Sequence, residues 1–293
     1  MSNSYEAHSF PAIAVALTIA AGIMLAGMDA FAKFLSLGLP FIVVLWGRYF
    51  FHTVITFGSY GIKTRSLQFL RARCPGLQFI RALALFGATF FMYIAITRMP
   101  LGDAAAIQFL APVLVTALSG LLLGERVGPR RWMGVGFGFI GVLLVARPGS
   151  GVLGWSALLP LATAVLLAIY MIMTRIIRNK DDAAATTFYS TALGALILSV
   201  LVVFNWQTPT LMQWSLMVAM GSAGAVGHFM LVKAFHSAEA SMLAPFTYSQ
   251  VVAAIAWGYL VFADIPSIWT VAGASVVIAS GLYVWYRETR VKR

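Results

Sequence analysis

The chain has 293 residues, 61% of them hydrophobic and 10% charged, with a mean hydropathy of +0.89. A soluble globular chain is about 45–50% apolar and about 25% charged, so a soluble enzyme is excluded. The net charge of +11 would suit a nucleic-acid binder, but here the positive residues sit at the ends of apolar runs rather than on a charged face. No nucleic-acid partner is therefore expected.

Ten apolar runs follow one another, each near the ~20 residues that span a bilayer. They fall near 11–37, 40–61, 77–98, 101–123, 131–147, 155–176, 184–204, 213–235, 239–262 and 267–286. The first is a retained span rather than a signal peptide, because residues 1–11 contain Glu6 and no Lys or Arg. Asp29 and Lys33, four apart near the end of this span, are placed to pair on one helix face. Arg48 lies well inside the second span, where an ionisable group is expensive and faces either a protein interior or an interface. Glu125 with Arg126 flanks the end of the fourth span as an anchoring pair or a gate. Asp29, Lys33, Arg48 and Glu125 are thus the gating or coupling candidates.

Little chain is left for loops, and no soluble domain fits between the spans. With the N-terminus inside, sixteen of the twenty Lys and Arg fall on the cytoplasmic side, Arg81 among them, and Lys33, Arg98 and Arg147 on the other. This bias sets both termini in the cytoplasm. The single cysteine, Cys74, excludes an intrachain disulfide, and no Cys/His spacing suits a metal. Gly136, Gly138 and Gly141 satisfy G-x-G-x-x-G literally, but inside an apolar span they read as helix packing rather than a dinucleotide loop. No nucleoside-triphosphate loop and no catalytic cluster occurs, so neither an enzyme nor a cofactor is expected.

The two halves echo each other. Residues 95–125 read AITRMPLGDAAAIQFLAPVLVTALSGLLLGE, and residues 234–264 read AFHSAEASMLAPFTYSQVVAAIAWGYLVFAD, an offset of 139. Trp132 and Gly134 open the next span in one half, Trp269 and Gly273 in the other. Five spans per half is an odd number, so the copies would enter the membrane from opposite sides. The expected fold is an all-α membrane protein of ten transmembrane helices in two inverted five-helix repeats, residues 1–149 and 150–293. Such repeats mark secondary transporters, which hold substrate at the repeat interface.

Arg81, the AITRMPLGDAAAIQFLAPV run, LLLGERV and the GVLLVARP ending resemble the EamA-type domain of the drug/metabolite transporter superfamily. Overall similarity is greatest to the YddG-type exporters of aromatic and other amino acids. Two features depart from the pattern: Asp264 stands where Glu is usual, and Pro112 has Val251 as its counterpart. The resemblance implies a ten-helix carrier of the bacterial inner membrane. Its cavity would be lined mainly by spans 1, 3, 4, 6, 8 and 9, with spans 5 and 10 outside. It also implies export of amino acids by alternating access. The scarcity of deep charge points to a small zwitterionic substrate, with another metabolite or drug such as a nucleobase or an organic cation as the alternative, and a membrane sensor or scaffold that transports nothing as a further one. Phe86, Phe90, Tyr93, Gln108, Tyr170, His228, Tyr248 and Gln250 are the mid-span side chains suited to bind it. Partners are then the substrate and the bilayer, and the protein is expected to be a monomer.

Overall fold

The computed structural model describes residues 12–64, 72–122, 128–147, 154–177, 180–181, 183–238 and 240–291. Among these, all regular structure is helical. Twelve α-helices succeed one another: α1 (Ala12–Leu35), α2 (Phe41–Thr64), α3 (Pro75–Ile96), α4 (Leu101–Gln108), α5 (Ala111–Leu122), α6 (Pro129–Ala146), α7 (Leu158–Ile177), α8 (Ala183–Leu201), α9 (Leu211–Ser237), α10 (Ala240–Thr247), α11 (Ser249–Phe262) and α12 (Ile268–Val291). Eight stretches of the described residues are long and apolar enough to cross a membrane, and Trp132–Ala146 is a shorter apolar helix.

Local chemistry explains where helices begin. Pro75 and Pro129 open α3 and α6, where a missing N–H leaves no bond unmade. Thr210 caps α9 in a reciprocal box: Gln213 N–H donates to the Thr210 hydroxyl, and Thr210 N–H donates to Gln213 Oε1. The N-terminus of α3 is secured from far away in the chain. The Asp181 carboxylate accepts from the backbone N–H groups of Arg73 and Cys74 and from the Gln78 amide.

Two of the expected spans are not continuous helices. The run at 101–123 breaks at Phe109 and Leu110, between α4 and α5. The run at 239–262 breaks at Tyr248, between α10 and α11. Pro112 lies just after the first break, where it removes a backbone donor and crowds the carbonyl one turn earlier, whereas Pro245 sits inside α10, three residues before the second. The prolines do not correspond between the halves, yet Phe109 and Tyr248 are 139 positions apart and their rings meet at 5.6 Å.

α1 packs mainly on α9, α3 on α7, and α2 on α8 and α9, forming the middle of the bundle. α6 and α12 lie against each other, with α4 beside both. Their crossing has no room for side chains. A Cβ on Gly141 would come 2.8 Å from the Gly273 carbonyl oxygen, and one on Gly273 would come 2.6 Å from that of Gly141. Gly134 and Gly138 likewise meet Val284 and Ser280 of α12. The glycine run is therefore a packing face.

The distribution of polarity is inverted relative to a water-soluble protein. Phe79, Leu83, Phe137, Ile140, Leu196, Val200 and Leu260 are exposed, whereas Asp29, Arg48, His52, Gln78, Arg81 and Asp103 are all at most 7% exposed. An apolar exterior around charged groups is what lipid requires. The chain is a multi-pass membrane protein.

Candidate functional site

Two buried polar groups occupy the interior. The first lies between α1, α2, α3 and α9. Arg48 is 4% exposed, with its guanidinium 4.7 Å from the ring centroid of Tyr49 and 5.8 Å from that of Tyr93. Asp29 of α1 is the carboxylate that acts on it electrostatically. Among the described residues, Arg48 Nε and Nη1 have no hydrogen-bond partner. Buried donors normally do, so an arginine left this way has donors to offer a ligand. His52, one turn along α2, and His228 of α9 adjoin it with ring centroids 5.2 Å apart. Tyr93 donates to Met220 Sδ at 3.8 Å.

The second group lies between α3, α7 and α8, and here every contact is made. Arg81 Nε donates to Thr174 Oγ1, Nη1 to Gln78 Oε1, and Nη2 to Tyr170 Oη and Ser190 Oγ. Both terminal nitrogens also donate to the Thr186 carbonyl at 3.0 Å. The guanidinium stacks over the Tyr170 ring at 4.7 Å. Arg81, expected at a cytoplasmic flank, is instead 1% exposed. It can be buried because five side-chain and backbone oxygens surround it. Tyr49 lies between the groups, its hydroxyl donating to Thr89 at 3.0 Å.

Aromatic side chains connect these groups. Phe86 contacts Tyr49 at 5.9 Å and Phe90 at 6.3 Å, and Phe90 meets Phe41 edge-on at 5.2 Å. Of the expected substrate residues, Phe86, Phe90, Tyr93, Tyr170 and His228 therefore belong to one connected interior. Gln108 is half-buried at the end of α4, beside the helix break. Gln250 is half-buried where α11 comes against Gly22 of α1. Tyr248 lies elsewhere, buried between Phe109 and Gly281 of α12.

Lys33 does not pair with Asp29. Its ammonium donates to Asp264 Oδ2 at 2.7 Å and lies 4.7 Å from the Phe262 ring centroid. Asp29 is buried at 7% exposed, and the cation acting on it is Arg48. Nearby, Thr270 donates to the buried Asp103 carboxylate, joining α12 to α4. Arg147 donates to Ser267 in the same region. These contacts tie α1, α4, α6, α11 and α12 together at the Lys33 end of the bundle. Glu125 lies outside the described residues.

Sequence reasoning missed His52, Tyr49 and the burial of Arg81. His52 had a signal, since four residues after Arg48 places it on the same face of a helix. Among the described residues no three His, Cys, Asp or Glu side chains converge as a metal site would need.

A model of the EamA-like transporter family matches residues 12–147 and 154–286. An S-adenosylmethionine uptake transporter of Rickettsia bellii is 27% identical over 89% of both chains. A riboflavin transporter of Vibrio cholerae is 27% identical over 94% of this chain and 93% of its own. One of Brucella anthropi is 28% identical over 87% and 92%. A solved crystal structure, 18% identical, superposes over 96% of this chain and 99% of its own with a TM-score of 0.67. At that identity the likeness concerns the fold alone.

Proposed function

The chain belongs to the EamA-like transporter family, and from that premise we infer that it carries small zwitterionic metabolites with an α-amino-acid head across the membrane. Amino acids, aromatic ones included, are the substrates we assign. The observation that carries this reading is buried Arg48, with uncommitted guanidinium donors among aromatic rings and Asp29 of α1 acting on it electrostatically. A carboxylate suits the open nitrogens of Arg48, an ammonium suits Asp29, and aromatic faces accept either an ammonium or a planar side chain. Among the described residues the interior offers no further uncommitted guanidinium to neutralise a phosphate, because Arg81's donors are all engaged.

Ten spans in two inverted repeats, residues 1–149 and 150–293, complete this reading. Its support is the pair of broken helices 139 positions apart, since discontinuous helices in corresponding places line transporter sites. Residues 1–149 and 150–293 would then rock about the central groups in alternating access. The Lys33–Asp264 bridge would close the extracytoplasmic end, and Glu125 would serve the opposite one. The lysine and arginine bias supports cytoplasmic termini, and we take the membrane to be a bacterial inner membrane. We take the carrier to be a monomer.

Export follows from the resemblance to the amino-acid exporters. A second reading, inward transport of S-adenosylmethionine, is favoured by the relatives of that name. That molecule also has an α-amino-acid head and an aromatic ring, so the same groups would hold it.

Purified protein in liposomes decides between them. Labelled tryptophan, phenylalanine, threonine, methionine and S-adenosylmethionine are offered separately and in competition. Amino-acid flux above empty vesicles, reduced at least tenfold by Arg48→Gln, is expected. Flux of S-adenosylmethionine alone selects the second reading, and flux of none of the five rejects the α-amino-acid head.

A further inference from the structure

Two imidazoles adjoin Arg48 that recognition of a zwitterion does not require. His52 is brought against α9 by glycines. A Cβ on Gly221 would overlap Phe51 and the His52 backbone, and one on Gly224 would sit 2.9 Å from His52 Nδ1. The His228 ring faces it at 5.2 Å. His228 Nδ1 lies 2.8 Å from the Gly224 carbonyl oxygen. A carbonyl only accepts, so this nitrogen carries the proton and Nε2 keeps its lone pair. His52 is 2% exposed, and its Nδ1 has no partner among the described residues.

We propose that His52 and His228 together hold one exchangeable proton, and that this proton and a carboxylate on Arg48 strengthen each other's binding. The proposal rests on the reading of Arg48 as a carboxylate site. The titratable and charged groups on the helices around the pair include Asp29 and Lys33 on α1, Arg48 and Tyr49 on α2, Arg81 and Tyr93 on α3, and Lys233 and His236 on α9 itself. α8 contributes only Tyr189, and α10 carries none. Arg48 acts on both rings, and Arg81 on His228. Arg81 is already tied to oxygens of α3, α7 and α8. Arg81 keeps its charge, because those oxygens are neutral, but its donors are spent; the donors near the pair open to a carboxylate are those of Arg48.

The electrostatics then set the coupling. Two protons on rings this close repel each other, so the pair holds one. With no anion on its open nitrogens, the Arg48 guanidinium, only partly offset by Asp29, opposes even that one. A carboxylate seated on Arg48 cancels the opposition, and reciprocity makes the proton tighten the carboxylate by the same factor. The substrate ammonium does not undo this, because Asp29 receives it on the α1 side of Arg48.

The test uses the full chain in lipid nanodiscs, labelled with 15N-histidine. The sequence has four histidines, so His52→Gln and His228→Gln assign the two signals. On acidification the pair should take up a single proton with one shared midpoint. Arg48→Gln should raise that midpoint by about one to two pH units, and Arg48→Lys, which keeps the charge, should leave it near the wild-type value. Saturating tryptophan should raise it in the wild type. Two independent titrations, or none in either wild type or Arg48→Gln, would overturn the proposal. So would a midpoint that ignores tryptophan in protein that transports it. Absence of tryptophan transport counts instead against the zwitterion reading. The comparison of wild type with Arg48→Gln uses no substrate and still decides the proton site.

Discussion

Arg81 joins α3, α7 and α8 through one guanidinium whose donors all find oxygens. A lysine offers three donors from a single point and cannot reach Thr174, Thr186 and Ser190 together. Arg81→Lys should therefore lower stability by about 2–4 kcal/mol, read as a fall in the thermal unfolding midpoint in detergent. Nothing in the linear pattern announced this role, because four of the five oxygen partners lie 89 to 109 positions away, on ordinary tyrosine, threonine and serine residues. Lys33 teaches the same lesson. A carboxylate four residues off was visible, but its partner Asp264 is 231 positions away. His52 differs, since helical periodicity alone sets it beside Arg48. Local spacing can therefore be read for residues on one helix, whereas pairings across helices depend on which faces meet.

At the scale of the element, the glycines of α6 divide by what faces them. Gly141 lies against the Gly273 carbonyl, while nothing comes within 4 Å of a Cβ placed on Gly136. Gly141→Val should destabilise by about 1–3 kcal/mol through overpacking. Gly136→Ala should change stability by at most about 1 kcal/mol, in the favourable direction. Denaturant titration of the two variants in the same micelle separates a packing face from a lipid face. The sequence identified α6 as a packing helix without saying which glycines pack. It also missed the breaks in the fourth and ninth runs. Pro112 and Pro245 were visible, but they occupy different positions in the two halves. Where the chain actually interrupts its hydrogen bonding, at Phe109 and Tyr248, is set by how α4 and α10 meet their neighbours.

For the whole molecule, the prediction concerns sidedness. Cys74 is the single cysteine, partly exposed at the start of α3, at the end of the bundle secured by Asp181. It should react with a membrane-impermeant maleimide from the cytoplasmic side only. In a Cys74→Ser background, Leu37→Cys, at an exposed position between α1 and α2, should react from the outside of intact cells. Labelling of both from one side would refute the orientation drawn from sixteen cytoplasmic positive charges.

Composition and hydropathy by themselves determined that this chain lives in a bilayer and is helical. The reason is that lipid cannot satisfy a backbone, so long apolar runs must close their own hydrogen bonds. The same economy made rare deep charges conspicuous, and Arg48 stood out from the sequence alone. What only the tertiary structure decided is which charge meets which. Lys33 goes to Asp264 rather than Asp29, Arg81 disappears into α7 and α8, and Tyr248 packs against Phe109 rather than joining the central rings. Those outcomes depend on helix rotation and close approach, set by glycines and small side chains hundreds of positions apart in some cases. A buried charge has no water to fall back on, so whichever partner that packing delivers becomes its partner.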